Sequence, residues 1–162
     1  MDNFSFFNSL FSIILFILLI TLIYELIIYI IYSFTHMKAL KLVGYSNPWY
    51  AWIPFINYYA FTDAVCEDEY IYILQIKVPT EYFKFWWVLQ ILLPITPLAG
   101  IILSMLLKTI CLGTIYTKFY AKIEQQPEEN VQVLGYISGF LRIVPIVKFF
   151  IYKNNIKKID IM

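Results

Sequence analysis

The chain reads as an all-α, polytopic membrane protein with three to four transmembrane or re-entrant helices kinked by proline, in a single domain over residues 1–162. Three observations predict this. Hydrophobic residues make up 61% of the chain and charged residues only 14%, against roughly 45–50% and about 25% in soluble domains. Mean hydropathy is +0.72, and a soluble domain of about 150 residues buries only ~70% of the surface its unfolded chain exposes, so lipid has to cover the remainder. The apolar residues also fall in runs, about 6–34, 49–65, 83–112 and 131–152, separated by polar loops at 35–48, 66–82 and 113–130 and followed by a basic tail at 153–162.

The first run follows six residues without Lys or Arg. A secretory signal needs a basic start, a short apolar core and a small-residue cleavage site, so this run is expected to stay as a transmembrane helix, long enough to tilt in a ~30 Å hydrocarbon core. Its one ionisable residue well inside is Glu25, and a carboxylate in such a place is by default a candidate functional group. The loop that follows carries His36, Lys38 and Lys41 and reaches Asn47-Pro48, a turn initiator that ends any helix before it. By the positive-inside rule this loop faces the cytoplasm and the N-terminus the outside.

Residues 49–65 are short for a crossing and contain Pro54 and Asn57. Proline deletes a backbone donor, and the asparagine amide supplies hydrogen bonds three residues on, so a broken helix shielded by other protein is expected. The acidic stretch 66–82 then falls on the external face, with 49–65 crossing outward and Tyr70 to Leu74 forming a short strand or interfacial segment. Trp86 and Trp87 open the third run, and Pro94 and Pro97 interrupt it. The part before Pro94 is too short to cross alone, so one kinked helix over 83–112 is expected, with Lys108 reaching toward the inner headgroups. The last run is compromised by Gly135, Gly139, Arg142, Pro145 and Lys148, and the basic tail, with Lys153, Lys157 and Lys158, prefers the cytoplasm. A re-entrant path or a full crossing both remain open for it. Gly135 and Gly139 have the G-x-x-x-G spacing that lets helices approach closely.

Charge and cysteine content exclude several functions. A formal net charge of +1 gives no basic face for nucleic acid. The two cysteines, Cys66 and Cys111, lie at different depths and are expected to be free thiols, with no C-x-x-C and only one histidine to suggest a metal. No cofactor is implied. Ser104 and Lys108, four residues apart, share a helix face and could form a Ser-Lys nucleophile pair. The remaining chemistry rests on polar groups within apolar runs, namely Glu25, Asn57, Asp63, Lys108 and Arg142. Pairing of Glu25 or Asp63 with Arg142 would lower the cost of burying them, either to fix helix packing or to line an ion path.

Gly44, Trp49, Ala51, Ile53-Pro54, Asn57 and Tyr59 form a pattern G-x-W-x-A-x-I-P-x-x-N-x-Y, with variable spacing after the glycine. This resembles a family of small bacterial integral-membrane proteins of unknown function, some labelled signal peptidase without its catalytic residues. The resemblance extends as a plan to Trp86-Trp87, Pro94 and Pro145, over about residues 37–150. Here the longer acidic stretch 66–82 replaces the family's short linker, and Lys118-Phe119-Tyr120 stands where a phenylalanine-glycine exit is usual. The resemblance lends no catalytic residues. The expectation is a multi-pass protein of the bacterial cytoplasmic membrane, a non-enzymatic accessory, scaffold or immunity-type component. Its partners are the lipid bilayer and other membrane proteins or a second copy. A small transporter using intramembrane charges is the alternative, and a membrane peptidase is a remote one.

Overall fold

A computed structural model describes residues 3–95 and 98–159, with side chains described for 7–95 and 98–152. Pro97 and the side chains of Lys153, Lys157 and Lys158 lie outside the described residues. The chain is mostly helical. Helix α1 (Asn3–Leu42) is followed by a 3₁₀ turn (Pro48–Trp52), α2 (Ile56–Val65), a hairpin of β1 (Tyr70–Ile73) and β2 (Ile76–Pro79), and the single turn α3 (Thr80–Phe83). Then come α4 (Trp86–Leu92), a 3₁₀ turn (Leu93–Ile95), α5 (Leu98–Glu124), α6 (Glu128–Phe140) and α7 (Ile143–Ile159). Two of these helices, α1 and α5, are long and apolar enough to cross a membrane.

α1 has 40 residues, about 60 Å of helix, and behaves as two halves. Residues 7–27 expose leucine, isoleucine and phenylalanine on every side. From Ser33 onward the same helix is packed, with Thr35, His36, Ala39 and Leu40 buried. The expected loop at 35–48 therefore begins eight residues later, at Val43. Met37 to Leu42 are good helix formers, and the first residue able to end the helix is Gly44, at φ +75°. It closes a Schellman cap, with the Gly44 amide donating to the Lys41 carbonyl (3.1 Å) and the Tyr45 amide to the Leu40 carbonyl (3.0 Å).

Residues 49–65 form a 3₁₀ turn and a short helix that double back, not one continuous helix. The 3₁₀ turn runs back along α1, where the Tyr29 hydroxyl donates to the Trp52 carbonyl, about 20 Å along the axis from the end of α1. The chain reverses at Pro54 and Phe55, and α2 returns about 15 Å. Tyr45 then donates to Asp63 at 3.1 Å, tying the two ends of this excursion together. Non-glycine Phe55 takes φ 66° at the reversal, a conformation that costs about 1–2 kcal/mol. The acidic stretch therefore shares an end of the bundle with the basic loop, contrary to the expected crossing. Lys122 pairs with Glu67 and donates to the Ala64 carbonyl, and Lys118 lies 4.0 Å from Asp68. Within 66–82, β1 and β2 pair antiparallel from Tyr70 opposite Pro79 to Ile73 opposite Ile76, a small sheet added to the helical plan. Leu74 and Gln75 form its turn at φ 47° and 72°, the positive values that match strand twist.

The single kinked helix expected over 83–112 is instead a helical hairpin. The Gln90 amide donates to the Ser104 carbonyl at 2.7 Å and Ser104 donates back to Gln90 Oε1 at 3.3 Å, across a gap that a continuous helix would stretch to about 21 Å. Pro94, within its 3₁₀ turn, removes a backbone donor where the reversal begins. Residues 131–152 likewise fold back, breaking at Leu141 and Arg142. α6 starts beside α5, with Lys118 on Glu128 at 2.8 Å. α7 comes back to the same end, where Lys148 pairs with Glu124 at 2.6 Å and Tyr152 donates to Glu124. Pro145 sits in the first turn of α7, where amide donors have no intrahelical partner in any case. The G-x-x-x-G pair seats α6 on α5: a Cβ on Gly139 would lie 2.5 Å from the Thr109 carbonyl oxygen, and one on Gly135 would lie 2.7 Å from the Thr117 amide.

The core is an aromatic cluster of Phe61, Tyr116, Phe119, Tyr120 and Phe149, with Phe61 and Phe119 at 4.6 Å between ring centroids. Cys66 and Cys111 are free and buried. Cys66 belongs to this packed end rather than to a solvated loop, and burial pushes its thiol up to about 12.

Gly44→Ala is expected to lower stability by about 1–2 kcal/mol, because the space around Gly44 is open and only backbone strain opposes the side chain; thermal unfolding in detergent measures it. At pH 8, alkylation of Cys66 by iodoacetamide should run on the order of a hundredfold or more below a free thiol of pKa ~8.5. Because the folded thiol is raised above its unfolded value, this contribution to stability is full below about pH 8.5 and is lost as pH rises beyond it.

Candidate functional site

The first chain reversal (Pro54, Phe55) and the α6–α7 reversal (Leu141, Arg142) point into the same region between α1 and α5, and a cavity of about 240 Å³ lies there. α1 contributes Glu25, Tyr29 and Tyr32; the first reversal contributes Pro54, Phe55, Asn57 and Tyr58. α5 adds Lys108 and Tyr116, and the second hairpin adds Ser138, Gly139 and Arg142. Four of the five polar residues singled out within apolar runs, Glu25, Asn57, Lys108 and Arg142, thus meet in one place from four separated parts of the chain.

Their pairing is incomplete. Arg142 donates to Glu25 Oε2 at 3.5 Å, longer than the ~2.7–2.9 Å of a strong charge-assisted bond. Both side chains are more than half exposed, at 57% and 58%. Lys108, on the neighbouring wall, has no hydrogen-bond or ion-pair partner among the described residues. Asn57 is 6% exposed, and its Oδ1 is buried without a hydrogen-bond partner, a state that costs about 1–3 kcal/mol.

The fifth residue, Asp63, is absent from the cavity. It pairs with Lys84 at 2.9 Å and accepts from Tyr45, because α2 carries it back to the charged end of the bundle. The proposed Asp63–Arg142 partnership is thereby replaced by Asp63–Lys84. Ser104 and Lys108 share a helix face but are not hydrogen-bonded: the serine hydroxyl is held by Gln90, and only Lys108 reaches the cavity.

The resemblance motif builds the first reversal. Gly44 ends α1, Ala51 is fully buried, Pro54 and Asn57 line the cavity, Trp49 is exposed, and Tyr59 packs on Phe85 at 5.8 Å.

A histidine–tyrosine chain that the sequence reading missed leads from the cavity into the core. His36 is 1% exposed. Its Nδ1 lies 2.8 Å from the Tyr32 carbonyl, and a carbonyl only accepts, so Nδ1 carries the proton and Nε2 is the acceptor of a neutral ring. Tyr116 therefore donates to Nε2 at 2.8 Å. Its oxygen is left to accept from Tyr32, 2.9 Å away. The available signal was the four-residue spacing of Tyr32 and His36 on one helix face, which carries weight only once α1 is known to continue past residue 34. Among the described residues no group of three or more His, Cys, Asp or Glu could hold a metal.

Compared with protein-family models, with curated proteins and with solved structures, the chain matches none.

Tyr116→Phe strips His36 Nε2 of its donor and Tyr32 of its acceptor, and is expected to destabilise the protein by about 1–3 kcal/mol. Chemical denaturation compared with Tyr82→Phe, an exposed tyrosine, checks this.

Proposed function

We propose that this chain is a multi-pass protein of the bacterial cytoplasmic membrane, working as a non-enzymatic accessory, scaffold or immunity-type component whose active part is a binding cavity. The observation that carries this is the convergence of Glu25, Asn57, Lys108 and Arg142 on one cavity. The membrane part is supported by the length and apolar character of α1 and α5, and by the wholly exposed apolar surface of residues 7–27, which needs lipid or another apolar partner around it. Charged groups in such surroundings are expensive unless they pair or serve a site.

In this reading α1 crosses, α4 and α5 form a helical hairpin whose second arm crosses, and the two remaining excursions enter and leave on one side. That side holds the basic loop after α1 and the charged ends of α5 and α7, which suits the cytoplasm. A transport reading is favoured by one feature, the meeting of two chain reversals at the cavity, a geometry used for substrate sites in transporters. A Ser104–Lys108 peptidase gains no support, because the serine hydroxyl is engaged by Gln90 and lies off the cavity.

Single cysteines at positions 45, 68 and 128, in a background without Cys66 and Cys111, are expected to label from the same side of sealed vesicles. Labelling of 68 from the side opposite 45 would overturn the arrangement. In proteoliposomes the protein should add no ion flux over empty vesicles. Flux that Glu25→Gln and Arg142→Gln each abolish in folded protein would replace the accessory reading with transport.

A further inference from the structure

The unmet bonding capacity of the cavity has a definite character. Lys108 offers up to three donors with no hydrogen-bond or ion-pair partner among the described residues, and its charge meets that of Glu25 only beyond ion-pair distance. Arg142 faces Glu25 at 3.5 Å, leaving most of its donor fork and most of the carboxylate's lone pairs unused. Asn57 presents a buried acceptor with no donor. A simple anion would satisfy Lys108 and Arg142 but leave Asn57 Oδ1 orphaned and place negative charge beside Glu25. A simple cation would suit Glu25 and Asn57 but be repelled by two positive side chains. Only a molecule carrying both signs meets all four groups.

We propose that the cavity binds a zwitterion of the ammonium-phosphate type, its phosphate on Lys108 and Arg142 and its ammonium on Glu25 and Asn57 Oδ1. This rests on reading the cavity as a binding site. The first amides of α2 are already committed, Asn57 to the Ile53 carbonyl and Tyr58 to that of Phe55, so recognition falls to side chains rather than to the helix end. Size agrees. About 240 Å³ is smaller than the ~300–1,000 Å³ of sites for drug-sized ligands and suits a headgroup. The half-exposed Glu25 and Arg142 sit at the rim, flanked by exposed Leu22 and Leu26 of α1 and Phe140 of α6. Acyl chains attached to the headgroup would therefore meet apolar surface. The same chemistry could arrive as a free aminoalkyl phosphate or as the headgroup of an ethanolamine phospholipid.

The full chain is purified in detergent and titrated calorimetrically with phosphoethanolamine, inorganic phosphate and ethanolamine. In parallel, protein in nanodiscs of equal phosphatidylethanolamine and phosphatidylglycerol is assayed by native mass spectrometry for the lipid it retains. Phosphoethanolamine is expected to bind at least about tenfold more tightly than phosphate or ethanolamine, or the nanodisc protein to retain phosphatidylethanolamine preferentially; the first result identifies a free ligand as sufficient, the second alone a lipid. Lys108→Ala and Asn57→Leu should each weaken whichever binding is seen by about tenfold to a hundredfold, while Ser104→Ala, off the cavity, leaves it unchanged. Asn57→Leu should melt no lower than the parent, since it removes an orphaned acceptor, which separates loss of binding from loss of fold. If phosphate or ethanolamine alone binds as tightly as phosphoethanolamine, or phosphatidylglycerol is retained equally, the zwitterion assignment is overturned and the binding-site reading survives. If folded protein holds none of these ligands in either arm, both fall.

Discussion

The closeness of α5 and α6 is the constraint on which the rest of the structure hangs. Gly113, Gly135 and Gly139 let two backbones touch where any side chain would collide with a carbonyl, an amide or the Tyr136 ring. In apolar surroundings helices gain little from hydrophobic burial against each other and rely on close packing and on hydrogen bonds between them. Both are present here, with Tyr120 and Ser138 joined at 2.7 Å beside the glycine contact. That seat fixes where α6 ends, and therefore where Arg142 stands and where α7 turns back to bring Phe149 into the aromatic core.

A second regularity follows from the reversals. Both excursions leave and return at one end of the bundle, where Lys84, Lys118, Lys122 and Lys148 meet Asp63, Glu67, Glu128 and Glu124. Only Lys122–Glu67 is exposed on both sides, where a single pair contributes little, while each of the other three has at least one shielded partner. Together they anchor the roots of both excursions, so that their tips are held from one end only. The tips then carry the strained Phe55 and the incompletely paired Arg142.

The helical class, the apolar runs and the polar residues out of place within them were legible in the sequence, because each is a local signal: Glu25, Lys108 and Arg142 stand out against their own neighbours. Their convergence was not. It depends on reversals fixed by contacts between distant residues, such as Tyr45 with Asp63 or Lys118 with Glu128, which no single stretch displays. His36 was passed over for the same reason. A histidine near lysines reads as solvated until Tyr116, 80 residues away, is found at its Nε2. The glycine spacing in α6 was visible, and the structure supplies the surface it needed. Asp63 was grouped with the wrong partner because a crossing was assumed where the chain turns round.

The bare half of α1 bears on how such a molecule is assembled. Residues 7–27 expose apolar side chains throughout, so this helix needs no other part of the protein to satisfy its backbone and can enter an apolar phase on its own as the chain is made. The two short excursions cannot do likewise, since each breaks at a proline-bearing or extended turn and borrows hydrogen bonds from α1 or α5. Synthesis thus delivers an autonomous post first and its dependents later. The cavity is complete only when the end of α6, with Ser138, Gly139 and Arg142, stands beside α1, α5 and the first reversal.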